Sequence, residues 1–497
     1  MPAPKVQKKL PQSSSAELLA AANAQRQGRL AEAETLYRAI IQSEPKHWQA
    51  LHQLGSIHLA RGELSEALQC IGAAMKSNTA SAEVTSNYGV VLQRLKRDDE
   101  AIEYFNRALM LKPGYVPALL NRGVSQQRLG RHEEALANFD RVIELDPSHA
   151  KAHYNRAHVL QEMRRFDEAL TAYIRAAELS PDDADIHWNE SLLRLIRGDY
   201  REGWKKYEWR LKRPGHDNRN FSAPLWHGQE SVAGKTVLIH AEQGFGDTLQ
   251  FVRYVPLLAE MGASVVLEVQ PALKSLMTTL DGVSVLVARG ESLPAFDLHC
   301  PIMSLPLAFK TEITTIPANV PYLRVPSGNI EKWRTRFSRG EKPAIAIACS
   351  GSPGNEENTI RSIPLEKFAP LFAHDGFRWI VVQRDMLPDD LDFLASQPNV
   401  EHFGAELSDF ADTAALISQT DLVLSVCTSL AHLAGALNFP FWLLSKYLPD
   451  FRWLDERSDS PWYPSARIFR QPAFGDWKSV IEMVRRELGS LKAAPRT

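Results

Sequence analysis

The 497-residue chain has only four cysteines, Cys70, Cys300, Cys349 and Cys427, with no C-x-x-C pair and no histidine at ligand spacing beside them. Neither a disulfide framework nor a zinc site is therefore expected, and the expected setting is a reducing compartment, the cytoplasm. Charge of one sign is also lacking: 57 Lys+Arg stand against 59 Asp+Glu, a net charge of −2. A broad polyanion-binding surface needs more than that, so no nucleic acid partner is expected. The amino terminus carries Lys5, Lys8 and Lys9 without an apolar stretch behind them, so residues 1–13 read as a disordered tail and not as a secretory signal. A spanning hydrophobic run is missing too. Residues 422–445 hold no Asp, Glu, Lys or Arg over 24 positions, yet they include Ser425, Thr428, Ser429, His432, Asn438 and Pro440. They divide into strand, helix and strand, and no membrane span is expected.

What is present is globular: 44% hydrophobic and 9% aromatic residues in a chain too long for one growing core, so two or three domains are expected. The first is a repeat. Small residues recur every 34 positions at Ala33, Ala67, Ala101, Ala135 and Ala169, and bulky ones four positions later at Tyr37, Ile71, Phe105, Phe139 and Tyr173. Pro45, Pro113, Pro147 and Pro181 close the units, with Thr79 in the second place. This pattern resembles the tetratricopeptide repeat, a helix pair that stacks into a superhelix. Five full repeats start near residue 14, and a degraded sixth ends near 211, giving an array over residues 14–211. The ending from Gly198 to Arg210, with Tyr200, Trp204, Tyr207 and Trp209, is too aromatic for a solvated cap and reads as a docking surface.

Asn87, Asn121, Asn155 and Asn189 occupy one position of the first helix in successive repeats, with Gln53 one repeat earlier. A carboxamide offers both donors and an acceptor and so matches a peptide backbone whatever its side chains. The row resembles the asparagine ladder of eukaryotic O-linked N-acetylglucosamine transferases, which implies a groove for a polypeptide acceptor or partner protein. An inter-helix hydrogen bond would put asparagine there as well.

After a polar linker, residues 212–235, apolar strands alternate with helices at 236–241, 265–269 and 283–287, and residues 297–306 read as a fourth strand end entering a short helix. That alternation predicts a parallel sheet. The stretch from Leu238 to Phe251 runs from a buried strand through Gly244-Phe245-Gly246-Asp247 into a helix, at the strand end where ligands collect in open α/β sheets. Leu249 stands where a dinucleotide fingerprint needs its third glycine, so that reading fails. Asp247 is either a helix cap or a base; the two look alike in sequence. A second sheet is expected from strands at 343–348, 379–382, 421–424 and 439–444. Ser350 and Gly351 follow the first of them, and Thr428 and Ser429 open a helix after the third, where backbone N–H groups bind phosphate well. Arg361 would add a fixed positive charge for a diphosphate.

The stretch from Glu242 to Phe251, that from Ser425 to Ala436, and Arg452-Trp453 with Asp459-Ser460-Pro461-Trp462-Tyr463-Pro464 together resemble bacterial tetratricopeptide-repeat glycosyltransferases, whose catalytic region is similar to the heptosyltransferase family. The resemblance implies the fold class α + α/β, an N-terminal tetratricopeptide α-solenoid followed by a two-lobed Rossmann-like GT-B domain. Its acceptor-side lobe would span residues 236–335 and its nucleotide-sugar lobe 336–497, the latter ending in a helix. It further implies an inverting, metal-independent transfer from a nucleotide-diphosphate sugar, with no cofactor beyond that donor. Asp247 matches the general base of the family's G-D motif. Gly246, Ser350, Gly351, Arg361, Thr428, Ser429 and His432 would hold the nucleotide-sugar. Cys427 departs from the family, which has aspartate before that threonine. Asp390-Leu391-Asp392 spells a D-x-D metal signature but follows Pro388 at a helix start, so no metal is expected. Two alternatives stay open: a non-catalytic scaffold with a relic nucleotide-sugar-binding domain, and a transferase acting on a saccharide.

Overall fold

The computed structural model describes residues 12–217, 219–338, 340–351 and 358–489, and the chain divides into two compact units between Ile186 and His187. Most of the expected tail, residues 1–11, lies outside the described residues, and a helix already begins at Gln12.

The first unit is built of helix pairs: α1 (Gln12–Arg26) with α2 (Leu30–Ser43), α3 (Trp48–Arg61) with α4 (Leu64–Ser77), α5 (Ala82–Arg94) with α6 (Asp98–Leu111), α7 (Val116–Arg128) with α8 (His132–Leu145), and α9 (Ala150–Glu162) with α10 (Phe166–Leu179). The recurring small and bulky residues explain the pairing. Ala33, Ala67, Ala101, Ala135 and Ala169 are fully buried, as are Tyr37, Ile71, Phe105, Phe139 and Tyr173. The bulky ring or branch of the second helix presses on the backbone of the first: a Cβ on Gly89 would stand 2.7 Å from Phe105 Cε1, and one on Gly123 equally close to Phe139 Cε1. The turn within each pair is left-handed at one residue, 34 positions apart. Gly28, Gly62 and Gly130 hold φ of +75°, +79° and +72° there, while Lys96 and Arg164 hold φ of 59°.

The second unit opens with the remainder of α11 (Ala184–Ile196) and with α12 (Tyr200–Tyr207), the degraded sixth pair. Leu195, Ile196, Tyr200, Trp204 and Tyr207 belong to the core of this unit. Trp204 meets Phe251 and Phe451 edge-on at 6.1 and 5.7 Å, and Trp462 Nε1 donates to Tyr200 Oη at 3.0 Å. The stretch read as a linker packs too: Trp226 is buried, its backbone N–H donates to His299 O at 2.8 Å, and Arg219 pairs with Glu268 at 2.7 Å.

Two parallel sheets follow. β1 (Thr236–His240), β2 (Ser264–Val269), β3 (Val283–Ala288) and β4 (Leu298–Pro301) lie in the order β3-β2-β1-β4. β5 (Ala344–Ala348), β6 (Arg378–Val381), β7 (Val400–His402), β8 (Leu422–Val426), β9 (Phe441–Ser445) and β10 (Ala466–Arg470) lie in the order β10-β9-β8-β5-β6-β7. The second order, read from β7, is that of a doubly wound dinucleotide-type sheet, reversing direction between β5 and β8. Strands buried on both faces read as continuous apolar runs. β5 shows why: Ala344, Ala346 and Ala348 enter a core that runs between both sheets, while Ile345 and Ile347 enter a second core under the helix Trp477–Leu488. The edge strands β7 and β10 were not expected from the sequence. Val400-Glu401-His402 is too short to show a period, and Ala466-Arg467-Ile468-Phe469-Arg470 is broken by two arginines.

The uncharged stretch 422–445 is β8, the helix Ser429–Ala436 and β9. Among the described residues no helix is long and apolar enough to cross a membrane.

Candidate functional site

The reversal of strand order between β5 and β8 opens a crevice at their carboxyl ends, and the fold places a cleft of about 330 Å³ there. Ser350 and Gly351 line it after β5, Gln383 after β6, and Thr428 and Ser429 after β8. Phe245, from the helix Phe245–Phe251 that follows β1, closes it together with Phe410, the two rings 5.0 Å apart. Four of the residues expected to hold a nucleotide-sugar therefore meet at one cleft. The neighbouring Ser352, Pro353 and Gly354 lie outside the described residues.

Each wall has a local cause. Thr428 sits at the cap position of the helix Ser429–Ala436 in extended backbone, but its hydroxyl pairs with Ser425 Oγ at 3.0 Å and caps nothing. The first backbone N–H groups of that helix are thus left without a side-chain cap, the condition in which a helix start attracts an anion. Ser350 is fixed by Gln383, whose carboxamide accepts from the Ser350 N–H at 3.0 Å and donates to Ser350 Oγ. Gly351 N–H donates to Asn358 Oδ1 at 2.7 Å. A Cβ on Gly351 would stand 2.5 Å from Arg361 Nη2, so the guanidinium lies directly on that glycine. Arg361 Nη1 reaches Cys427 O at 3.4 Å, and its buried Nε has no hydrogen-bond partner among the described residues.

The other expected site residues lie beside the cleft and do not line it. Gly246 packs on the helix start: a Cβ there would be 2.8 Å from His432 Cδ2 and 3.6 Å from Ser429 Cα. His432 is turned into the core, its Nδ1 3.0 Å from Tyr463 Oη and its ring stacked on Trp453. Burial, with the Arg452 charge adding to it, pushes its pKa down to about 3, so it is neutral. Asp247 has both oxygens engaged: Oδ2 accepts the Gly244 N–H at 2.9 Å and Oδ1 accepts Arg452 Nη2. It is therefore a helix-start partner and one half of an ion pair at once. Cys427, in the aspartate position, accepts Trp453 Nε1 at 3.0 Å, and burial pushes its thiol up to about 11.

Arg452, Asp450, Gln383 and Phe410 escaped the sequence reading as site residues. Gln383 carried a usable signal, since it follows the apolar strand β6 as Ser350 follows β5. The pairing of Arg452 with Asp247 joins residues 205 positions apart and has no local signal. Asp390, of the D-x-D, lies in the first turn of the helix Pro388–Ala395, where Oδ1 accepts the Leu365 N–H at 2.7 Å.

The asparagine row is not uniform. Asn87 Nδ2 is 2.7 Å from His52 Nε2, the backbone carbonyl of Asn121 accepts Gln93 Nε2 at 2.9 Å, and Asn155 is buried with Nδ2 unpartnered among the described residues. Asn189 falls in the second compact unit.

Comparison with known proteins bears on the repeats. Tetratricopeptide repeat models match residues 24–86 and 126–194, and another matches 78–148. Protein FlbA of Caulobacter vibrioides is 25% identical over 325 residues, 60% of this chain, and the match spans only about half (54%) of FlbA. Among solved structures the chain is similar to a tetratricopeptide repeat protein from Parabacteroides merdae (21% identity, TM-score 0.36, 41% of this chain and 80% of that one). It is also similar to YrrB, a tetratricopeptide-repeat protein with an unusual peptide-binding site (23%, 0.32, 35% and 91%). PilW, a type IV pilus biogenesis factor, is a third (20%, 0.39, 42% and 97%). The N-terminal region of this chain is thus an array of tetratricopeptide repeats, a kind of array suited to binding a peptide or protein partner, followed by an α/β region of two parallel sheets.

Proposed function

We propose that the chain is an inverting glycosyltransferase of the GT-B type that moves a sugar from a nucleotide-diphosphate sugar to a polypeptide gripped by the repeats. The observation that carries this reading is the cleft at the β5/β8 reversal, lined by Ser350 and Gly351 after β5 and by the uncapped helix start at Thr428 and Ser429 after β8. The donor diphosphate would lie on Ser350, Gly351, Thr428 and Ser429, with Arg361 beside it. Asp247 would take the proton of the acceptor hydroxyl, whose oxygen attacks the anomeric carbon. The anomeric C–O bond to phosphate breaks, and its electron pair leaves with the nucleoside diphosphate. Backbone N–H groups and the guanidinium stabilise that leaving charge. The test is incubation with labelled nucleotide-sugars and candidate partner proteins, read by intact-protein mass spectrometry. Transfer that disappears in Asp247→Asn supports the reading; a panel that yields neither transfer nor hydrolysis sinks it.

A second reading is favoured by one observation, the engagement of both Asp247 oxygens. In that reading the α/β region senses a nucleotide-sugar without transferring it, and the repeats are a scaffold. Binding of the donor without turnover distinguishes it.

A further inference from the structure

One guanidinium beside the cleft is shared by two carboxylates. Arg452 Nη2 donates to Asp247 Oδ1, while Nη1 donates to both oxygens of Asp450 at 2.9 and 3.0 Å, and the Arg452 backbone N–H donates to Asp450 Oδ1 at 2.9 Å. The guanidinium also lies 4.1 Å from the centroid of the Phe451 ring. Asp450 is the anchored partner, held in the same turn of chain, and Asp247 is the distant one, brought in by the helix that follows β1. Asp247 is two positions from Phe245, which lines the cleft, and Trp453, next to Arg452, donates to Cys427, next to Thr428. The ion pair thus borders the same helix start that the diphosphate reading uses. It is not sealed: the side chains of Arg452 and Asp247 keep 11% and 13% of their exposure.

A general base needs an oxygen free to meet the acceptor hydroxyl, and the Arg452 and Gly244 N–H groups occupy both oxygens of Asp247. The guanidinium fork suits phosphate oxygens at least as well as a carboxylate, and a diphosphate brings more charge to it. We propose that Arg452 is a positioning residue that exchanges Asp247 for the diphosphate of an incoming nucleotide, so that donor binding itself releases the base. The inference rests on the transferase reading of the cleft. Asp450 keeps the guanidinium in place during the exchange, and Asp247 acts only in the loaded site.

The exchange makes an unusual demand: removing the base must improve binding. Titration calorimetry of the full-length protein with UDP, GDP and ADP measures it. Asp247→Asn is expected to bind the preferred nucleoside diphosphate roughly tenfold tighter than wild type while losing transfer, because the competing charge is gone. Arg452→Lys is expected to bind roughly tenfold weaker, with circular dichroism reporting its fold. Should Arg452→Lys fail to fold, Asp247→Ala serves beside Asp247→Asn, since it removes the competing charge while leaving Arg452 on its Asp450 anchor, and it is expected to tighten binding as well. Wild type that binds while Asp247→Asn binds no better overturns the exchange and leaves the transferase reading standing. Wild type that binds no nucleoside diphosphate overturns both.

Discussion

Gly246 and His432 touch across the two sheets' helices so closely that a single added methyl on Gly246 would lie 2.8 Å from His432 Cδ2. His432 has nowhere to retreat, with Trp453 stacked on one side and Tyr463 Oη bonded to Nδ1. Gly246→Ala is therefore expected to destabilise the second unit by about 1–3 kcal/mol through overpacking. Urea unfolding of that unit measures it; an unchanged midpoint would mean that the two helices part freely.

Gln250, three positions after Asp247 in the same helix, is fully buried, and neither end of its carboxamide has a hydrogen-bond partner among the described residues. Gln250→Leu, similar in volume and without polar atoms, is expected to raise stability by about 1–3 kcal/mol. A fall in the thermal midpoint would show that an ordered water or a ligand group pairs the amide.

Lys96 holds φ of 59° at the turn where Gly28, Gly62 and Gly130 stand in sister repeats. The left-handed conformation strains a side chain by about 1–2 kcal/mol, and glycine gives back part of that in chain entropy, so Lys96→Gly is expected to stabilise the array by about 0.5–1 kcal/mol. The urea midpoint of the first unit reads the change, and destabilisation would refute the argument.

Burial pushes His240 and His432 down to about 3, with His299 adding to the effect on His240 and Arg452 to that on His432. An unfolded chain takes these protons near pH 6.5, before the folded one does, so stability falls as pH drops from about 6.5 toward 3. The slope is about 1.4 kcal/mol per pH unit for each histidine. Above pH 7 the two contribute no pH dependence. Denaturation midpoints between pH 8 and 4 test this, and replacing His432 by Gln should remove one proton's worth of slope.

The sequence exposed whatever repeats or alternates. A 34-residue spacing of Ala and bulky residues is visible because every repeat buries the same two positions, and β5 is visible because both of its faces are covered. Ser350, Gly351, Thr428 and Ser429 could be placed at the cleft because strand ends are predictable from strands. The charge arrangement was not legible. Whether Asp247 caps, pairs or reacts depends on Arg452, and only the packing of the helix Phe245–Phe251 on the helix Ser429–Ala436 brings them together. β7 and β10 were hidden for the opposite reason, since an edge strand need not be apolar on both faces.

The compact division after Ile186 falls inside a helix of the repeat pattern and not at its end. The sixth helix pair keeps the 34-residue period while its rings, Tyr200, Trp204 and Tyr207, fill the α/β core. Gain or loss of whole 34-residue blocks during gene duplication is thereby tolerable only upstream of α11, and a recombinant fragment that starts at 212 would be born with a hole where those rings belong.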